Sequence, residues 1–283
     1  MKKISFQKFR SRALILLVLA LAVGGLSLAP NNEAVAPSVE EVEEPRSELP
    51  CLDKTFSIVV HIVKDSLGEP NVTEGDIQGE VAGVNGYFAD ICVTFEICEF
   101  RYIDNFQWDT LDAVGGVDWS QMMTAHHQAY RINVFYVNHI IDPPGVGGFA
   151  DLGGINNTQG GGICIVKPGG ALNHEMGHYW GLEHTFEGNG TELADGSNCE
   201  TEGDGFCDTP GDPYVPFDPP GNYINDDCVF ISMLTDANGD FYDPDTGNVM
   251  SYYGCDCHFS YEQYLHMANT YSNNLTPNGQ HMW

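Results

Sequence analysis

Residues 174–184 read His174-Glu175-Met176-Gly177-His178-Tyr179-Trp180-Gly181-Leu182-Glu183-His184. The pattern, HExxHxxGxxH, packs three imidazoles and a carboxylate into eleven residues. His174 and His178 are four residues apart. On an α-helix that spacing sets them about 40° apart around the axis and about one turn apart along it, so both rings face one point. Glu175 lies about 60° from His178 on the same wheel and flanks that point, the place for a base. Gly181 adopts positive φ at little cost, so the helix can end there and His184 can approach from a second direction. Three neutral histidines and a water make an open tetrahedral zinc site, the catalytic kind. Zinc lowers the pKa of its bound water to about 7, and Glu175 is then placed to take the proton and hand it to a leaving amine. The stretch therefore nominates His174, His178 and His184 as zinc ligands, Glu175 as general base and Gly181 as a structural glycine. A purely structural zinc site would have no need of the carboxylate.

Further along stands Asn248-Val249-Met250-Ser251-Tyr252. Met250 is a flexible apolar filler suited to a floor beneath the histidines. Tyr252 has two readings: a catalytic hydroxyl near the zinc or the oxyanion, or simple packing. The flanking residues carry a family signature. Leu172-Asn173 precede the long motif and Thr185-Phe186 follow it; then come Asn198-Cys199, Gly203-Asp204-Gly205-Phe206-Cys207-Asp208-Thr209-Pro210, the Met250 segment, Phe259 and Gln263. This ordered set resembles the pappalysin family of metzincin zinc proteases. The resemblance runs from about residue 55 to 270 and is dense from 171 to 267. It implies a zinc endopeptidase acting on protein or peptide substrates, with a two-part catalytic domain split by a cleft. It also implies calcium sites and disulfides in the C-terminal part. A family preference for basic residues on the primed side of the cut would need an acidic pocket floor, for which Asp256 is a candidate.

The fold expected is α+β, with an α/β-like upper part (55–184) and an irregular, disulfide-rich lower part (185–283). Phe56–Val63 is a β-branched run that fits a central strand, with His61 as a satisfied core residue. Thr73–Phe88 reads as a helix capped by Thr73. Cys92–Phe100 alternates Val93, Phe95 and Ile97 on one face, a second strand, and Ile132–Val137 is a third. Together with the run at Ile163–Val166 these make a mixed twisted sheet. Residues 145–170 are Gly-rich, and the island Ile163-Cys164-Ile165-Val166 within them is expected as an edge strand that could pair with an extended substrate; the alternative is a flexible loop. His126 and His127 lack ligand spacing and read as surface. Ser260–Thr270 should be a last helix, packing Tyr264 and Met267.

Asp236-Ala237-Asn238-Gly239-Asp240 places oxygen ligands at alternate positions around a glycine. Asp236, Asn238 and Asp240 are candidate calcium ligands on that pattern, against a plain Asn-Gly turn. Gly247 stands where an EF-hand would need Glu, so the segment is not an EF-hand. Asp204 and Asp208 are further oxygen candidates.

The net charge is −29, and five of the eleven basic residues fall in the first twelve positions. So acidic a remainder argues against a nucleic-acid partner. The basic start and the uncharged run Ala13–Ala29 read as a secretory signal peptide, residues 1–29, or else an uncleaved anchor. Residues 30–54 read as an acidic disordered linker, or a short pro-segment over the cleft. Without the anchor, no stable membrane association is expected, and the product is read as a secreted monomer. Nine cysteines in an exported chain imply disulfides with one left over. Cys92 and Cys98 lie about 20 Å apart on an extended strand and cannot join each other. Cys255 and Cys257 are too close in sequence to pair easily, and Cys199, Cys207 and Cys228 are their natural partners. Cys51 either pairs or ligates zinc in a latent form. Two other functions share these features: a non-catalytic zinc-binding surface or matrix protein, and a zinc amidase acting on a non-protein amide.

Overall fold

The computed structural model describes residues 48–112, 117–142, 144–273 and 283. The expected signal segment and residues 30–47 of the acidic stretch lie outside the described residues. Ser47–Trp283 form one compact unit.

Strand β1 (Lys54–Val63) lies inside a five-stranded sheet. Its neighbours are β2 (Val93–Ile103) and β4 (Ile132–Val137), both parallel to it. Strand β7 (Gly162–Val166) pairs parallel with β4, and the short β6 (Gly148–Ala150) pairs antiparallel with β7, giving the order β2-β1-β4-β7-β6. The expected mixed sheet is present, mostly parallel. Burial on both faces explains why β1 and β4 are almost unbroken β-branched and aromatic runs. Ile58, Val60 and Ile62 pack into the larger core; Val63, Phe135 and Val137 pack into a second core on the opposite face.

The edge assignment needs correction. The island Ile163–Val166 is an interior strand between β4 and β6, and the free edge belongs to Gly148–Ala150. A three-residue strand beginning with glycine carries too little side-chain pattern to register as a strand in sequence.

Helix α1 (Glu74–Phe88) buries Ile77, Val81, Val84 and Phe88 along one stripe. Thr73 caps it as expected: its hydroxyl accepts from the Asp76 N–H, and the Asp76 carboxylate accepts from the Thr73 N–H. Helix α2 (Asp118–His126) covers the other sheet face through Met122 and Met123. Two short strands, β3 (Thr110–Asp112) and β5 (His139–Asp142), pair in parallel beside it. His126 and His127 are half-buried against this layer rather than free on the surface, and burial holds both below the ordinary histidine range. His61 stacks on Phe135 at 4.2 Å, and its Nε2 meets Asn133 Oδ1 at 3.1 Å.

Lys167, at the end of β7, fixes the launch of the next helix. Its buried ammonium donates to Asp109 Oδ1 at 2.9 Å and to the Val63 carbonyl. Pro168, Gly169 and Gly170 then lead into helix α3 (Leu172–Tyr179), which carries the first two histidines.

Beyond residue 184 the described chain has one α-helix, α4 (Tyr261–Ser272), among turns and isolated bridges. Ser260 and Gln263 form its capping box, and Tyr264 and Met267 are buried as expected. Disulfides join Cys51–Cys92, Cys199–Cys207 and Cys228–Cys255. Cys228 and Cys255 are partners as expected, and Cys51 pairs. Cys199 and Cys207 join each other instead of the Cys255 segment, because Gly203 and Gly205 turn the loop back at φ 67° and 81°. Cys98, Cys164 and Cys257 are free, so three thiols remain rather than one.

Candidate metal centre

Helix α3 presents His174 and His178 on one face, four residues apart. It ends in a Schellman turn. The Gly181 N–H donates to the His178 carbonyl at 2.9 Å, and the Leu182 N–H donates to the Gly177 carbonyl at 3.0 Å. Gly181 sits at φ 95°, the left-handed conformation this turn requires. The reversal brings His184 Nε2 to 3.1 Å from His178 Nε2. Ligand atoms of all three histidines lie within 4.8 Å of one another, and they are the group of this kind found among the described residues.

The outer ring nitrogens fix the orientation. His174 Nδ1 meets the Val249 carbonyl at 2.7 Å, and His178 Nδ1 meets the Leu182 carbonyl at 2.7 Å. Each Nδ1 therefore carries the proton, which leaves each Nε2 lone pair facing the shared point. Burial, with mutual repulsion adding to it for His178 and His184, depresses the pKa values to about 4 for His174 and His178 and about 2 for His184. The rings are neutral at ordinary pH, as metal ligation needs. His174 Nε2 is buried and has no hydrogen-bond partner among the described residues. A buried imidazole nitrogen with nothing to bind is costly, and a metal ion at the shared point would satisfy it. The donor set of three imidazoles suits zinc.

Glu175 is buried beside the histidines, and its Oε2 also lacks a partner among the described residues. Desolvation pushes its pKa up to about 8. Gly148 of the edge strand lies directly over it: a Cβ there would sit 2.6 Å from the Cys164 carbonyl oxygen and 2.9 Å from Glu175 Cγ. The Tyr252 ring centroid is 5.4 Å from that of His174 and 4.8 Å from that of His184. Burial, then the Glu175 charge, pushes the Tyr252 phenol up to about 12, so it stays a donor.

Met250 is fully buried beneath the helix. A Cβ on Gly177 would lie 2.4 Å from the Met250 sulfur, so the floor touches the helix backbone itself. Asn248 Oδ1 accepts from the Met250 N–H at 2.9 Å, and Asn248 Nδ2 donates to Gln263 Oε1 at 2.9 Å, tying the floor to α4.

Sequence reading missed Asp212. This buried carboxylate accepts from Thr185 Oγ1 at 2.7 Å and from the Tyr253 hydroxyl at 2.6 Å. It thus holds the residues next to His184 and next to Tyr252. Gly177 and Gly148 were also missed. Gly177 carried a signal, since a glycine inside a helix is disfavoured by about 0.5–1 kcal/mol and marks a close approach.

Asp236 is engaged as a turn former. Its Oδ1 accepts from the Asn238 and Asp240 N–H groups at 2.8 and 3.0 Å, and its Oδ2 accepts from the Ala194 N–H at 3.0 Å. Asn238 and Asp240 are exposed on that turn. Asp208 is spent on α4, accepting from Ser260 Oγ at 2.6 Å and the Glu262 N–H at 2.9 Å. The acids buried together are Glu192 and Asp204. Burial raises both to about 7, with repulsion from Asp204 adding to it at Glu192 and repulsion from Asp208 adding to it at Asp204. Glu192 Oε1 has no partner among the described residues.

The histidines line a cleft. One hollow of about 320 Å³ is bounded by Gly148, Asn173, His174, Glu175, Tyr252 and Asp256. Adjoining hollows share Val146 and Tyr252 with it and reach His178, His184 and Phe186.

Residues 165–272 match the family model described as pregnancy-associated plasma protein-A. A curated protein named "Extracellular metalloprotease" from Arthroderma gypseum is 25% identical over 173 residues, covering 55% of each chain. The chain thus spans about half the length of that relative. The crystal structure of metalloproteinase-II from Bacteroides fragilis aligns at 16% identity with a TM-score of 0.36, over 50% of this chain and 46% of that one. A structure described as a chaperone-substrate complex aligns at 15% identity with a TM-score of 0.32, over 48% of this chain and 25% of that one. The matched segment holds all three histidines, Glu175, the Schellman turn and the Met250 floor, and over those residues the chain is similar to the pappalysin family.

Proposed function

We propose that the chain is a secreted zinc metalloendopeptidase with Glu175 as its general base. The observation that carries this reading is the pairing of two orphaned buried groups: His174 Nε2 at the point where three histidines converge, and the Glu175 carboxylate beside it. A structural site would explain the first and leave the second without a role. Secretion is supported by the N-terminal basic and apolar segment, by three disulfides and by the name of the fungal relative. Among the described residues, no helix is long and apolar enough to cross a membrane.

His174, His178 and His184 would hold the zinc. Bound there, zinc supplies Lewis-acid polarisation of a water and of the scissile carbonyl. An extended peptide lies along the free edge of β6, where the backbone of Gly148–Ala150 offers strand pairing. Gly148 lets the substrate backbone come close to Glu175. Glu175 takes the proton of the attacking water at its carboxylate and delivers it to the departing amine. Desolvation raises its affinity for that proton, and a cation beside it lowers the same affinity, so the two effects oppose each other. The Tyr252 phenol stays protonated and donates to the oxyanion as it develops. The full-length chain should cleave a peptide library, lose activity to a chelator and regain it with one equivalent of zinc. Zinc uptake with no cleavage of any peptide would overturn the proposal.

Asp256 supports a preference for Arg or Lys after the cut. It lines the hollow, and burial raises its pKa while Asn173 Nδ2 anchors its Oδ2 at 3.2 Å. Asp256→Asn should lower kcat/KM for basic primed-side residues by roughly 10²-fold and leave apolar ones nearly unchanged, the scale expected for an unpaired buried charge. Parallel kinetics on two peptides differing at that residue would check this.

Glu192 and Asp204 support calcium binding in the C-terminal part. Their raised pKa values mean that the folded chain keeps protons the unfolded chain has lost, so stability falls as pH rises from about 4 through about 7. A bound cation removes that penalty. Calcium should therefore raise Tm more at pH 8 than at pH 5, as read by calorimetry, and an equal shift at both would count against the site.

A further inference from the structure

One group of reactive side chains lies outside the metal centre. Cys257 is free and exposed, and its Sγ lies 3.0 Å from His258 Nδ1. His258 Nε2 lies 2.7 Å from Asp245 Oδ2. The carboxylate can only accept, so Nε2 carries the ring proton and Nδ1 offers its lone pair to the thiol. A carboxylate, an imidazole and a thiol in that order form an activated sulfur nucleophile.

An electrophile is at hand. Cys255, two residues before Cys257, is bonded to Cys228. Cys228 and Cys257 pack on the same short segment. Thr246 Oγ1 donates to the Cys228 carbonyl at 2.7 Å, and the next residue, Gly247, accepts from the Cys257 N–H at 2.9 Å. A Cβ at Gly247 would lie 2.7 Å from Cys257 Sγ, so the thiol rests on that backbone.

We propose that Cys257 exchanges with the Cys228–Cys255 disulfide, so that the chain exists as two disulfide isomers. His258 Nδ1 takes the thiol proton, and the Cys257 sulfur attacks the Cys228 sulfur. The Cys228–Cys255 bond breaks as the Cys228–Cys257 bond forms. Cys255 leaves as a thiolate and takes the proton back from His258. One thiol and one disulfide stand on each side of the step, so no oxidant or reductant is consumed. Attack on the Cys255 sulfur would instead join cysteines a single residue apart.

The residue between them is Asp256. Its Oδ2 holds Asn173 Nδ2 at 3.2 Å, next to His174, and its carbonyl accepts from the Tyr87 hydroxyl at 3.3 Å. One isomer tethers the chain just before Asp256 and the other just after it. Exchange therefore re-seats Asp256 and reshapes the hollow it lines. This consequence for cleavage rests on the peptidase reading; the exchange does not.

The test uses the full-length oxidised chain. It is held at pH 8, quenched in acid, blocked with N-ethylmaleimide and mapped by peptide mass spectrometry. Both Cys228–Cys255 with blocked Cys257 and Cys228–Cys257 with blocked Cys255 are expected. Cys257→Ser and Cys255→Ser should each fold and retain one bond to Cys228, trapping the two isomers. His258→Gln should slow blocking of Cys257 at least tenfold relative to Cys98, an exposed reference thiol in the same chain. Finding Cys228–Cys255 alone at every time, with Cys257 blocked no faster than Cys98, overturns the proposal. So does a Cys255→Ser chain that folds with Cys228 and Cys257 both free. None of these readouts depends on proteolysis, so failure here and failure of the peptidase reading are separate results.

Discussion

Replacing Glu175 by Gln is expected to lower kcat/KM for peptide cleavage by about 10²- to 10⁴-fold, the range for loss of a general base. Zinc content should not change, because Glu175 is not among the converging ligands. The substitution keeps the volume beneath Gly148, where the Glu175 side chain is closely covered, so packing is preserved and the missing function is proton transfer. The effect should fall on kcat more than on KM, since the proposed substrate contacts, the β6 edge and the hollow near Asp256, are left in place. Steady-state kinetics with metal analysis of the same sample check it. A variant that retains zinc and cleaves at the parent rate would remove Glu175 from the chemistry.

The second large effect is expected from Gly181→Ala. Gly181 holds φ 95°, and an added Cβ would lie 3.2 Å from His266 Nε2. Holding a residue with a side chain in the left-handed region costs about 1–2 kcal/mol. Relaxing that strain opens the Schellman turn, and two ligands feel it. His178 loses its Leu182 carbonyl anchor, and His184 loses its return path. Loss of such orienting contacts typically weakens a metal site by about 10- to 100-fold. Gly196→Ala is the control: Gly196 also has positive φ, at 67°, but a Cβ there meets nothing within 4 Å and the residue is far along the chain from the histidines. Both variants should melt at lower temperature, and only Gly181→Ala should bind zinc more weakly in a competition titration. Equal zinc affinities would mean that the turn does not place His184.

The histidine cluster was legible in the sequence because its spacing is local. His174, Glu175 and His178 share one helix, and Gly181 and His184 follow within six residues, so residue identity and helix geometry sufficed to bring the three rings together. Met250 was legible through family resemblance; its contact with Gly177 depends on long-range packing. Asp212 was not legible, since its two roles, holding Thr185 and Tyr253, join segments far apart in sequence. The acidic loops pose a related problem. Asp236 and Asp208 have the residue types of cation ligands, yet their oxygens are taken by backbone N–H groups and a cap hydroxyl. Which carboxylate oxygens stay without a partner is decided by the fold, and Glu192 Oε1 is one of them among the described residues.

Strands β1 and β4 were legible because their apolar runs are long and rich in β-branched residues, and β2 because Val93, Phe95 and Ile97 alternate with polar positions. Helix α2 was not: Met122 and Met123 are its buried residues, and they give no 3.6-residue period. The edge strand β6 was hidden by glycine, the residue that lets it lie over Glu175. Disulfide geometry could exclude pairs along one strand but could not assign partners between loops, because the turn at Gly203 and Gly205 is itself a product of folding.

Zinc-edge X-ray absorption on the active full-length chain shows whether His174, His178 and His184 together hold one zinc ion, as proposed. The expected shell is three imidazole nitrogens at about 2.0–2.1 Å with oxygen completing the coordination and no sulfur. His184→Ala should remove one imidazole and most of the activity. A shell containing sulfur at about 2.3 Å, or one unchanged in His184→Ala, would mean that the three histidines do not hold the zinc.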